Sequence, residues 1–263
     1  MFMQSSAVEV KVTGAAGTIV LNRPDFGNAL TRAMLDQFAE ALDDLYRERR
    51  VRAIIVTGAG DAFCEGLDLA EAQSTAAGDD ALQQWGRDAE AWRDLIVRLL
   101  EITKPIIAAV NGPALGHGAT LVAAADIVVA DAGATFGLPD VRRGLVAGLA
   151  GPLLAFRLGA GQAARLLLTS QAIDAAEAHR VGVFHEVVLP EKAWARAVEL
   201  VDHCAAGAPE AIQLTKRLLN ETLAEQLLLQ LSSGAAMAAT AHTTAAAEEG
   251  IAAFLEGRPP VWP

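Results

Sequence analysis

Lys104-Pro-Ile-Ile-Ala-Ala-Val-Asn-Gly-Pro-Ala-Leu-Gly-His-Gly118 is the stretch from which the organisation of the chain can be read. Pro105 to Val110 is a short apolar run and reads as a strand. Asn111 to Gly118 reads as a turn, in which Gly116 and Gly118 let the backbone come close to a ligand. From Leu121 to Ala125 a short helix of small residues is expected. A helix that opens at such a turn aims unpaired N–H groups outward. Glycine pairs also make ordinary tight turns, so this turn alone does not specify a site.

A similar arrangement lies upstream. Val51 to Thr57 is a β-branched run closed by Gly58 and Gly60, which predicts a buried strand. A loop follows from Asp61 to Gly78, and within it lies a second glycine turn, Phe63-Cys-Glu-Gly-Leu-Asp-Leu69. Two N–H groups from separate turns, meeting at one point, would bind the oxygen of an enolate or a tetrahedral species. Further out, Val8 to Val12 and Thr18 to Leu21, parted by Gly14 and Gly17, read as a hairpin-like strand pair. Met34, Leu35, Phe38, Leu42 and Leu45 recur at helical spacing, with Arg47, Arg49 and Arg50 in the last turn, where cations suit the helix dipole. Asp79 to Ile102 predicts a helix with Leu82, Trp85, Trp92, Leu95, Ile96 and Leu99 on one stripe, and Asp126 to Ala130 another strand. The rhythm is strand–strand–helix, which suggests a wound α/β core whose turns stack on one another without a sequence repeat.

After Gly148 the strands almost stop. Helices are expected over Ala160–Thr169, Asp174–Arg180, Glu191–Ala206, Pro209–Asn220, Glu225–His242 and Ala246–Leu255, the last stopped by Gly257, Pro259 and Pro260. Residues 1–205 are expected to form the core and 206–263 a helical region. Leu227 to Leu231 carries more leucine than one stripe needs, which either a subunit interface or a fully internal helix would bury.

The 263 residues are 52% hydrophobic and 20% charged, as for a globular protein, with a net charge of −11. That charge disfavours nucleic acid and anionic lipid as partners. A polyanionic ligand such as coenzyme A would need a locally basic site or one rich in N–H donors. Cys64 and Cys204 are far apart and read as two free thiols of a reducing compartment. No metal-ligand spacing occurs. Met1 to Val12 has no apolar core of a signal peptide, and no run reaches the ~18 apolar residues of a membrane span, so a soluble cytoplasmic protein is expected.

Six motifs, in order along the chain, resemble those of the crotonase (enoyl-CoA hydratase/isomerase) family: Leu21-Asn-Arg-Pro24 with Asn28-Ala-Leu30; Phe63 to Leu69; Lys104 to Gly112; Ala125-Asp-Ile127; Phe136-Gly-Leu-Pro-Asp140; and Phe254-Leu-Glu-Gly-Arg-Pro259. The resemblance implies an α/β spiral of ββα turns with a C-terminal helical trimerisation region, assembled as a homotrimer or a dimer of trimers. It implies acyl-CoA thioesters as substrates, no further cofactor, and chemistry through a thioester enolate. The oxyanion N–H groups would belong to Leu67 and His117. Asn28, Ala29, Glu65, Gly66, Asp68, Leu69, Gly118, Thr120, Phe254 and Arg258 would contribute to substrate binding, with Phe254 and Arg258 reaching toward a neighbouring subunit's CoA.

Hydratases that this chain resembles use two glutamates, at the positions of Thr120 and Asp140 here. The peroxisomal-type enoyl-CoA isomerases that it also resembles place theirs at Gly148. One carboxylate, Asp140, is left at a recognised acid position, and one suffices for a 1,3-proton shift. The resemblance thus implies an isomerase or a weak hydratase. A decarboxylase or other lyase on the same fold, or a feeble acyl-CoA-binding subunit, are the alternatives. Asp140 is alternatively a surface acid paired with Arg142 or Arg143, and Asp68 reads as a helix cap. Glu65 either supplies a second carboxylate or points to solvent. The His117 imidazole is a further candidate base. His179, His185, His203 and His242 show no clustering and are expected to be structural or exposed.

Overall fold

In the computed structural model, which describes residues 6–78, 80–221 and 224–263, the first two strands, β1 (Val8–Thr13) and β2 (Ala16–Leu21), pair antiparallel around Gly14, whose φ is +59°. Beyond β2 every pairing in this sheet is parallel. It adds β3 (Ala53–Gly58), β4 (Ile106–Val110), β6 (Ile127–Asp131) and β9 (Glu186–Val188), in the order β1-β2-β3-β4-β6-β9. Alternate residues of the central strands face opposite sides. Ile54, Val56, Ile106 and Ala108 join the main core with Met34, Phe38, Leu42 and Leu45 of α1 (Arg32–Arg47). Ile55, Ile107 and Ala109 pack on Ala193, Ala197 and Val201 of α8 (Ala193–Ala205). Both faces are covered, which is why these strands read as continuous apolar runs.

A second, smaller sheet runs β5 (Ala114–Leu115), β7 (Thr135–Gly137), β8 (Ile173–Asp174), and single bridges Leu30–Leu67 and Cys64–Ala114 extend it toward the N-terminal half. The chain therefore lays one strand in the large sheet, a short one in the small sheet and then a helix, and repeats. β4, β5 and α4 (His117–Ala124) make one such turn; β6, β7 and α5 (Ala150–Leu158) make another. This is the crotonase-type ββα spiral.

Local differences from the sequence reading have local causes. The Asp61–Gly78 loop contains α2 (Leu69–Ala76), nucleated by Asp68, whose carboxylate accepts from the N–H groups of Ala70 and Glu71. α4 begins at His117 rather than Leu121, because its first turn is polar and glycine-bearing and carries no apolar signal. α5 was hidden by Gly148, Gly151 and Pro152; the proline sits in the first turn, where a missing N–H leaves no bond unmade.

The C-terminal helices fold back onto their own chain. α10 (Ala224–Ala241) packs along α3 (Ala81–Glu101) and meets the start of α5 so closely that a Cβ on Gly234 would stand 2.0 Å from the Gly148 carbonyl oxygen. α11 (Ala245–Leu255) lies on α2 and on the 3-10 turn Asp140–Arg143, with Gly250 against the Arg143 backbone. Leu227 and Leu231 are internal, while Leu229 is 71% exposed, so the leucine surplus is shared between core and surface. On α9 (Pro209–Glu221), Lys216 is buried against Asp126 at 2.7 Å and donates to the carbonyls of Leu99 and Lys104. Among the described residues no helix is long and apolar enough to cross a membrane.

Candidate active site

The two glycine turns are strapped together by backbone. The Pro113 carbonyl accepts from Phe63 and Cys64, and Leu115 donates to Cys64 O at 2.9 Å. Leu30 donates to Gly66 O at 2.7 Å and accepts from Asp68 at 2.9 Å, so the Leu67 N–H between them points the other way and meets no acceptor among the described residues. Gly116, at φ +52°, donates to Gly137 O and lets α4 start at once. His117, the first residue of that helix, has an N–H with no intrahelical partner. The turns touch: a Cβ on Gly66 (φ +114°) would lie 3.6 Å from the His117 nitrogen, and one on Gly118 would lie 2.1 Å from the Cys64 carbonyl oxygen. Gly118 is thus needed where backbone meets backbone.

Leu67 and His117 line one cavity together with Leu69, Thr120 and Asp140. Its far walls are two helical stripes. Trp85, Asp88, Ala89 and Trp92 come from α3; Ala235, Ala238, Ala239 and His242 come from α10 and the residue just past it. Spacings of three, four and seven place each set on one face. The His117 imidazole stacks on Trp92 with centroids 4.5 Å apart, and His242 stacks on Trp85 at 4.2 Å. Burial pushes the pKa of His117 down to about 3, and His242 beside it adds to the shift. Burial takes His242 to about 4. Both rings are neutral at pH 7.

Asp140 opens the 3-10 turn. Its Oδ2 is buried and has no hydrogen-bond partner, and burial raises its pKa above the ordinary carboxylate value, against the pull of its own backbone N–H and of Arg143. It is therefore no surface acid. Arg142 turns away to the Thr169 carbonyl, and the Arg143 guanidinium lies 4.2 Å over the Phe254 ring. Two other carboxylates in the wall, Glu71 and Asp88, are both taken by Arg32. Asp88 accepts from its Nε and Nη2 at 2.7 and 2.6 Å, and Glu71 accepts from its backbone N–H at 3.0 Å.

Several residues expected at the substrate lie outside this cavity or have their side-chain polar atoms engaged by their own chain. Asn28 (φ +54°) is fully buried; its side chain accepts from Arg23 N–H and donates to the carbonyls of Ala59 and Ala62, so it holds the turn. Ala29 is outside the cavity wall, and its carbonyl accepts from Arg23. Asp68 caps α2 and pairs with Arg23 at 2.9 Å. Glu65 is exposed and lies against Gly27, off the cavity. The Thr120 hydroxyl donates to Gly116 O at 3.0 Å within its own helix. Phe254 and Arg258 engage their own chain, Phe254 through Arg143 and Arg258 through Glu249 and Glu256. Cys64 is buried, and its thiol pKa is pushed up to about 12. Conversely, His242 had been set aside as unclustered, and the spacing of seven from Ala235 was the signal that could have found it.

The paired glycine turns of this ββα spiral bring Leu67 and His117 to one cavity. Residues 12–263 match the enoyl-CoA hydratase/isomerase family. A Thermus thermophilus protein provisionally named an enoyl-CoA hydratase is 36% identical over 94% of this chain and 97% of its own length. The 1,2-epoxyphenylacetyl-CoA isomerase of Escherichia coli is 34% identical over 92% of this chain and 93% of its own. The crystal structure of carnitinyl-CoA hydratase from Mycobacterium avium superimposes with a TM-score of 0.83 at 33% identity, covering 98% of this chain and 99% of that one. The chain belongs to the enoyl-CoA hydratase/isomerase family.

Proposed function

We propose that the protein binds an acyl-CoA, holds its thioester oxygen between the N–H groups of Leu67 and His117, and moves a proton with Asp140, acting as an enoyl-CoA isomerase before a hydratase. The observation that carries this reading is the buried Asp140 carboxylate, its Oδ2 without a partner, in the same cavity as Leu67 and His117. As the carboxylate it takes the α-proton of a 3-enoyl thioester. The electron pair moves onto the thioester oxygen, where two preorganised donors stabilise it. Asp140, now the acid, returns the proton to C4, and the double bond closes between C2 and C3. Nothing else is consumed. A carboxyl group whose pKa burial raises above the ordinary carboxylate value suits both halves of the transfer.

Hydration would need a second group to position water. Thr120 stands where the hydratases that the sequence resembles carry one glutamate, and its hydroxyl is committed to Gly116. An assembly with other copies is part of the same proposal. Leu214 and Leu219 on α9 and Leu229 and Met237 on α10 are each 60–71% exposed and would be covered in a trimer or hexamer. Light scattering at micromolar concentration that gives a monomer removes the assembly. The reaction is tested with a panel of acyl- and enoyl-CoAs in deuterated water, read by mass spectrometry. A rearranged thioester carrying deuterium supports isomerisation. Addition of water or loss of CO₂ would replace it, and an unchanged panel would leave a binding subunit.

A further inference from the structure

The far end of the cavity is unlike a pocket for a saturated chain. Two indoles and two imidazoles, in parallel stacked pairs with interplanar angles of 13° and 20°, stand on the walls, and Ala235, Ala238 and Ala239 keep the facing stripe shallow. The His242 ring also carries a buried Nδ1 with no hydrogen-bond partner. Asp88, its acidic neighbour, accepts from Arg32 and Gln84 and makes no hydrogen bond to that nitrogen. An unpaired buried nitrogen is unfavourable, and a ligand atom that pairs with it is bound more tightly than an isosteric group that cannot.

We propose that this site selects planar, oxygen-bearing acyl groups: an aryl-type acyl-CoA whose ring lies along the Trp85–His242 wall and whose hydroxyl or carbonyl oxygen, remote from the thioester, hydrogen-bonds His242 Nδ1. The inference rests on the acyl-CoA reading and deepens it. A neutral imidazole donates at one nitrogen and accepts at the other, so it serves a phenol in one tautomer and a carbonyl in the other. Aromatic rings add offset or edge contacts with the indoles that an alkyl chain lacks. His242 is here a specificity-determining residue and takes no part in the proton transfer.

The test is calorimetric titration of the full-length protein with three saturated thioesters of nine acyl carbons: nonanoyl-CoA, 3-phenylpropanoyl-CoA and 3-(hydroxyphenyl)propanoyl-CoA, the last as its meta and para isomers. One of the hydroxylated isomers is expected to bind about 10-fold more tightly than the phenyl ester, as one otherwise unpaired hydrogen bond warrants, and the phenyl ester more tightly than nonanoyl-CoA. His242→Phe keeps the stack on Trp85 and removes the nitrogen. It is expected to erase the hydroxyl preference, keep phenyl binding and melt no lower than the parent. His242→Gln, which restores a polar atom, is expected to recover part of the preference and gives the same readout should the phenylalanine variant not fold. Nonanoyl-CoA binding as tightly as the hydroxylated esters, or a preference unmoved in both variants, overturns the inference and leaves the acyl-CoA reading standing. If no thioester binds, nonanoyl-CoA included, the acyl-CoA reading falls and takes the inference with it.

Discussion

Gly118→Ala is the substitution that separates a shaped oxyanion site from two incidental turns. A methyl group at Gly118 would stand 2.1 Å from the Cys64 carbonyl oxygen, with Cys64 Cβ at 2.8 Å. Backbone oxygens do not yield as side-chain tips do, so the start of α4 must move from the Phe63–Leu69 turn by about 1 Å before the contact becomes tolerable. That displacement pulls the His117 N–H away from the point it shares with Leu67. A misplacement of about 1 Å lowers a rate by on the order of 10²-fold, and loss of an oxyanion donor by about 10²–10³-fold. The expected result is that enolate formation, read as deuterium uptake at the α-carbon of an acyl-CoA, falls by about 10²-fold or more. CoA-dependent thermal stabilisation should persist. Gly86→Ala on α3 is the control, since nothing lies within 4 Å of its added carbon; it should raise stability by about 0.5–1 kcal/mol and leave exchange alone. Exchange at the parental rate in a folded Gly118→Ala protein would refute the reasoning about the paired turns.

Acid should unfold the protein through its cavity histidines. The folded pKa values of His117 and His242, about 3 and about 4, lie below the unfolded value of 6.5. The unfolded chain therefore binds more protons below pH 6.5, and stability falls with pH from there down to the folded values. At pH 5 the loss is about 2 kcal/mol for each ring. Asp140 works in the opposite sense, its raised folded pKa making its contribution largest in acid. Urea midpoints at pH 7 and pH 5 check the balance, and His242→Phe should lose about half as much as the parent. Lys216→Met keeps volume and breaks the pair with Asp126, which keeps the Ile106 N–H, and should cost about 1–3 kcal/mol in urea unfolding with an unchanged slope.

The strands and the spiral were legible because β2, β3 and β4 are buried on both faces and so read as unbroken β-branched runs. The two glycine turns were legible as turns because glycine at 66 and 116 serves positive φ. Asp140 was legible as a lone carboxylate, though its burial was not; that depends on α11 lying over the 3-10 turn, a contact more than one hundred residues away in sequence. The pocket walls were not legible for a related reason. Trp85 and Trp92 share a stripe with true core residues such as Leu95 and Leu99, and hydropathy does not distinguish a wall facing a cavity from one facing a neighbouring helix. Nor did it reveal that Phe254 closes over Arg143 of its own chain. The motif was visible at residues 254–259, but the path of the chain between α10 and α11 sets where it lands.

Asp140→Asn, assayed for α-proton exchange in deuterated water alongside calorimetric CoA-thioester binding, tests the central assignment most directly. Asparagine keeps the shape and cannot accept a proton at neutral pH. The expected result is a fall in exchange and in isomerisation of about 10²–10⁴-fold, with binding nearly unchanged. Exchange that persists at the parental rate while binding is intact would mean that the proton moves through another group, and would contradict the assignment of Asp140.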